Sequence, residues 1–111
     1  MIDSFSFTTD AWAEVPAITL EARRMDHGYR YHLSLDGYRS VECEGVAPNS
    51  LIERMEKIVR AWKASYFRPV LDDNNWTIEW TEGEKVENRQ GNNAFPEDWN
   101  QFLALVFQLE K

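Results

Sequence analysis

Three side chains in this 111-residue chain are of the types that usually act as nucleophile, base or soft-metal ligand: His27, His32 and Cys43. A cysteine beside a histidine is the minimal set for covalent catalysis, because the imidazole can take the thiol proton. His27 falls in a turn-forming stretch, Met25-Asp26-His27-Gly28, and reads as solvated. The question is whether His32 and Cys43 can meet. Asp36-Gly37 marks a turn between them. A two-residue turn there would pair Leu33 with Ser40 and Tyr31 with Glu42, and would put Cys43 and Val41 on the face of Arg30 and His32. That arrangement splits the apolar residues between the two faces, which a half-buried hairpin avoids. One added loop residue, Tyr38, pairs Leu33 with Val41 and Tyr31 with Cys43. The other face then sets His32 against Glu42 and Arg30 against Glu44, both favourable cross-strand contacts. The second register is preferred. It predicts a buried Cys43, an exposed His32 and no dyad, with the cysteine acting as a small hydrophobe.

No Cys/His spacing fits a zinc site and no Gly-rich loop follows a strand, so neither a metal nor a cofactor is expected. Asp72-Asp73-Asn74-Asn75 is rich in oxygen ligands, but it lacks the D-x-[DN]-x-[DN]-G order and distant Glu of a calcium loop, and it reads as a turn. A small enzyme using carboxylates or His32 stays open as a minor class. It would need His32 in a deep pocket beside a carboxylate.

The elements that must position these residues begin with strands. Phe5 and Phe7, then Ile18, Leu20 and Ala22, then Tyr29, Tyr31, Leu33 and Leu35 each alternate with polar residues. Ser50-Leu51-Ile52-Glu53 fits a capping box, and Leu51, Met55, Ile58 and Trp62 follow at helical spacing, which predicts a helix over about 51–64. Glu53–Lys57 and Glu56–Arg60 are favourably oriented i,i+4 pairs. Pro69 keeps 65–71 from being a central strand. Trp76, Ile78 and Trp80 alternate in a further strand, Gly83 turns the chain, and 85–90 reads as a polar edge strand. Pro96 suits a first helical position, with Glu97 and Asp98 in the first turn and an apolar face from Trp99 to Leu109. The expectation is a single α+β domain over 1–111: an antiparallel sheet of five to six strands packed with two helices, in the order β-β-β-β-α-β-β-α.

The C-terminal third carries a recognisable pattern. Asp72-Asp73-Asn74-Asn75-Trp76-Thr77-Ile78 resembles a D-G-x-x-W-x-[LI] segment, with Asp73 where the pattern has Gly. Gly91-Asn92-Asn93-Ala94-Phe95-Pro96, two residues, and Trp99 resemble a G-x-N-A-[YF]-P-x-x-[WF] segment. Together these are similar to a group of small, largely uncharacterised bacterial proteins, in which a helix ending in Trp, here Trp62, often precedes the turn. The resemblance brings no activity with it. It implies structural roles: backbone geometry for Gly91 and Asn93, a helix start for Pro96, and core positions for Trp76 and Trp99.

Charge narrows the function classes. The net charge is −7, from 19 acids and 12 bases. That argues against nucleic-acid or anionic-membrane binding, which need a basic face. Residues 1–48 carry −4, residues 49–71 carry +3, and residues 72–111 carry −6. The acids thus gather in the last third, and Asp72, Asp73, Glu79, Glu82, Glu84, Glu87, Glu97 and Asp98 form the candidate binding surface for a basic protein. The bland alternative is solubility. The single cysteine and the absence of a leader or long apolar run imply a cytoplasmic protein. The expected function is a non-enzymatic inhibitor of the toxin-immunity or phage anti-defence type that occludes a basic partner. A structural or accessory subunit, or a homo-oligomer, is the alternative.

Overall fold

The structure is a computed structural model, and it describes residues 1–12, 15–71 and 74–110. The elements are β1 (Ser4–Thr9), β2 (Ala17–Met25), β3 (Gly28–Asp36), β4 (Ser40–Ala47), α1 (Asn49–Arg60), β5 (Ser65–Phe67), β6 (Asn75–Glu82), β7 (Lys85–Asn92) and α2 (Trp99–Phe107). The seven strands form one sheet in the order β4-β3-β2-β1-β6-β7-β5, antiparallel except for the β5–β7 pair. The fold is α+β, as expected, with the short β5 as an added strand.

Alternation decides which face is covered. Phe5, Phe7, Ile18, Leu20, Ala22, Tyr31, Leu33, Trp76, Ile78 and Trp80 are all buried, and their strand neighbours are mostly exposed. Both helices pack on that apolar face. Phe102 of α2 meets Phe7 at 4.9 Å edge-on, and Trp99 meets Trp76 at 5.0 Å. Trp62 joins the same cluster, 5.4 Å from Phe102 and 5.5 Å from Trp76. The phenols that enter the core keep a partner there. Tyr29 donates to the Ile2 carbonyl and Tyr31 to the Leu109 carbonyl. The large ring content therefore builds the core of a short chain.

Several local expectations are corrected. The β3–β4 hairpin has the expected faces but not the expected pairs. Leu33 lies opposite Cys43, Leu35 opposite Val41, His32 opposite Glu44 and Ser34 opposite Glu42. The expected register would have set Leu35 against Arg39 on the core face. A three-residue loop, Gly37 to Arg39, moves Val41 there instead. Cys43 is half-buried rather than fully buried. There is no capping box: Pro48 occupies the N-cap position, its carbonyl accepts from the Leu51 N–H, and Ser50 lies inside the helix. Of the two i,i+4 pairs, Glu56–Arg60 forms, at 3.4 Å. The helix stops at Arg60, after which the chain turns to bring Trp62 into the core.

The polar strand after Gly83 is longer than expected and is not the sheet edge along its whole length. β5 pairs with its last residues, Gln90 to Asn92. At the final helix, Pro96 opens a turn closed by the Trp99 N–H on the Pro96 carbonyl. Asp98 is the N-cap residue, so Glu97 and Asp98 precede the first turn instead of lying in it.

Candidate partner-binding surface

The sheet face turned away from the helices is uncovered among the described residues. Three rows of its side chains run right across β4, β3, β2, β1, β6 and β7. The central row is Glu44, His32, Glu21, Ser6, Glu79 and Asn88. On one side lies a row of hydroxyls and amides, Glu42, Ser34, Thr19, Thr8, Thr77 and Gln90. On the other lie Val46, Arg30, Arg23, Ser4, Thr81 and Val86. Adjacent strands are about 4.8 Å apart, so each row spans roughly 24 Å. The surface forms a broad open depression of about 800 Å³, bordered by Glu21, Glu44 and Glu79 together with Arg23 and Arg30. Glu21, Glu42, Glu44 and Glu79 share the face with Arg23 and Arg30 and sit in or beside the central row, and Asp36 lies further along β3, where it accepts from Ser40.

At the β3–β4 side the charges are coupled. His32 Nδ1 lies 2.9 Å from Glu44 Oε1, and Nε2 lies 3.7 Å from Glu42 Oε1. The hydrogen bond to Glu44, helped by the charges of Glu44 and Glu42, pushes the His32 pKa up against a smaller opposing effect of burial. Ser34 Oγ lies 3.4 Å from His32 Nε2 and donates to Glu42 Oε1 at 3.3 Å. Serine, histidine and glutamate in that order have the connectivity used in acyl transfer. The setting differs. The hydroxyl has Glu42 as a second acceptor at 3.3 Å, beside the longer contact to the imidazole. Glu42 and Glu44 are 72% and 74% exposed, and His32 is 40% exposed on an open face. β3 is an interior strand, and its backbone N–H groups serve its two ladders. The trio is an electrostatic cluster. His32 does not stand in the deep pocket that the enzyme class requires.

Of the eight acids expected to form one surface, the six that are described are separated. Asp72 and Asp73 lie outside the described residues. Glu79 is on the open face, opposite Ser6 and Asn88. Glu82 and Glu87 are on the helix side, where Arg60 lies 2.8 Å from Glu82 and 3.7 Å from Glu87. The Met1 amino group and Arg60 both hydrogen-bond Glu82 and hold its carboxyl below the usual range. The Arg60 and Arg89 guanidiniums also stand over the Trp80 ring, at 5.7 and 4.9 Å. Glu84 is exposed at the β6–β7 turn. Glu97 and Asp98 belong to the other end of the hairpin, where Trp76 Nε1 donates to the Ala94 carbonyl. An eight-residue strand puts roughly 25 Å between those ends.

Among the described residues, Glu79 is thus the one member of the expected set that joins the open-face cluster. Glu21, Glu42, Glu44 and His32 complete it. Their polar-face alternation was visible in the sequence. The missing information was that β1 bridges β2 and β6, which places Glu79 in the row of Glu21.

The residues of the C-terminal pattern do structural work. A Cβ at Gly91 would lie 2.1 Å from Trp76 Nε1, so only glycine lets the indole pass. Asn93 has φ 59°, and its side-chain oxygen accepts from the Asn74 N–H at 2.9 Å. Trp76 and Trp99 are buried together. No family model, curated protein or solved structure matches the chain. Among the described residues, no cluster of three or more His, Cys, Asp or Glu is arranged to hold a metal, and no helix is long and apolar enough to cross a membrane.

Proposed function

We propose that this protein is a non-enzymatic binding module that seats its open sheet face on a basic surface of another protein. Its specific form is an inhibitor of the immunity or anti-defence type, acting by occlusion of a cationic active site or nucleic-acid channel. One observation carries the reading: Glu21, Glu42, Glu44 and Glu79, from three different strands, converge on one uncovered face. Glu21 and Glu79 make no hydrogen bond or ion pair among the described residues and so are available to a partner's cations. Net charge of −7 would steer the encounter. The hydroxyl row adds hydrogen-bonding groups that suit a polar, wet interface.

The test compares the wild type with a Glu21→Lys/Glu79→Lys variant, each immobilised and exposed to one host extract over a salt series. The wild type should retain a basic protein at low salt and release it as salt rises. The variant, with an unchanged circular dichroism spectrum, should not retain it. Equal retention by both proteins would remove this face as the site. Failure of the wild type to enrich any basic protein would remove the reading.

A further inference from the structure

The two edges of the sheet differ. β5 is three residues long, and Pro69 follows it by two residues, so that edge cannot extend far. β4 is eight residues long, contains no proline, and is hydrogen-bonded only to β3 among the described residues. Every second residue of such a strand turns its backbone N–H and C=O away from the sheet, which is a template for another strand. Edges of this length are normally blunted by a charge, a bulge or a covering element. Here the device is a pair of carboxylates on one face, Glu42 and Glu44, with Val46 beyond them.

Those carboxylates choose among occupants. A second copy of β4 pairing antiparallel about Cys43 would set Glu42 opposite Glu44 at two places. Pairing about Glu42 or about Glu44 would set that residue opposite itself. Like charges directly opposite are unfavourable in a sheet, so the registers centred on Glu42, Cys43 or Glu44 disfavour a second copy. A strand with cations at alternate positions matches the edge, because the period of two that puts Glu42 and Glu44 on one face puts a partner's alternate Lys or Arg side chains opposite them. His32 and Ser34 already hold the inboard side of the two carboxylates, at 2.9 and 3.3 Å. Both carboxylates remain largely exposed.

We infer that β4 is a strand-addition site, which takes an extended segment of the partner carrying alternate Lys or Arg residues as an eighth strand. This rests on the proposal that the partner is basic, and it specifies how part of that partner is held. Main-chain hydrogen bonds supply affinity, and Glu42 and Glu44 set the register.

The probe is a synthetic octapeptide of alternating Lys and Val, with a second peptide of the same sequence N-methylated at alternate residues so that one edge cannot pair. Amide exchange and chemical shifts are followed by NMR for the wild type, a Glu42→Lys/Glu44→Lys variant and the Glu21→Lys/Glu79→Lys variant. Binding should slow exchange at alternate amides of residues 40–47 by about tenfold or more, and N-methylation should weaken it by a similar factor. Reversal of Glu42 and Glu44 should abolish the protection, while reversal of Glu21 and Glu79 should leave it in place. Shifts centred on Ser6, Glu21 and Glu79 without protection of β4 would overturn strand addition and leave the acidic face standing. Equal binding of the N-methylated peptide, or no binding by either peptide while the wild type still retains a basic protein from extract, would also overturn it. Concentration-dependent dimerisation with β4 protected in the absence of peptide would assign the edge to a second copy, against the inference.

Discussion

Two groups of carboxylates, one at the rim of the helix side of the sheet and one on its open side, meet different fates. On the helix side, Asp3 is paired with Arg24 and accepts from the Gly83 N–H, and Glu56, Glu82 and Glu87 share Arg60. These acids lie near the rim of an aromatic core and are matched by cations from the neighbouring strand or helix. On the open side, Glu21 and Glu79 stand unmatched among the described residues, and Glu42 and Glu44 are matched only by the titratable His32. Net charge alone does not identify a binding surface. What counts is which acids remain after the fold has neutralised the others.

The sharpest way to break this contrast is to move from rim to core. Trp76→Ala should cost about 3–5 kcal/mol in urea unfolding, because Trp76 is buried against Trp62, Tyr66 and Trp99. Gly91→Ala should cost about 1–3 kcal/mol at the same contact by overpacking, unless the indole shifts. Arg60→Ala comes next, at about 1 kcal/mol, since it removes the shared partner of three glutamates and a cation over Trp80. Glu21→Lys/Glu79→Lys should change stability by no more than about 0.5 kcal/mol while removing partner retention. A loss comparable to that of Arg60→Ala would mean that the open face is structural after all.

The two sides should also separate by pH. Glu82 has a lowered folded pKa, so its contribution is present above its unfolded value and is lost as pH falls through the folded one. His32 has a raised folded pKa, so its contribution is full below its unfolded value, near 6.5, and is lost as pH rises through the folded one. Comparing stability–pH curves of Glu82→Gln and His32→Gln with wild type should show the first diverging on the acid limb and the second near neutrality. An NMR titration of His32 that gave an ordinary or lowered pKa would remove the open-face arm. Both effects are small, because both groups are solvated, and should shrink with salt.

The faces of the strands were legible in the sequence because alternation is a local signal. Phe5 and Phe7, Ile18 and Leu20, and Tyr31 and Leu33 each announce their buried side. The β3–β4 register differs because the three-residue loop starts one position later, at Gly37 rather than Asp36, which sets Leu35 against Val41 rather than Arg39. Counting acids along the chain points to one surface over residues 72–98. Alternation within the β6–β7 hairpin sends Glu79 to one face and Glu82 and Glu87 to the other. The row that joins Glu79 to Glu21 required knowing that β1 lies between β2 and β6, a pairing between segments with no local signature. The resemblance implies a backbone-geometry role for Gly91, but its φ is not positive, and what requires a glycine is the passage of the Trp76 indole.

The central place of β1 also sets the order in which the molecule can be made. β1 to β4 pair in sequence order and can form as they emerge, but the other flank of β1 waits for β6. Ser4 meets Thr81 across 77 positions. Until that seam closes, Phe5 and Phe7 lack α2, which is made last, and the meander shows an aromatic face and two open edges to whatever is nearby. Closing a seam this non-local should be the slow step of folding. A ribosome-bound chain stopped before residue 75 is therefore the form in which this protein should be most prone to aggregate.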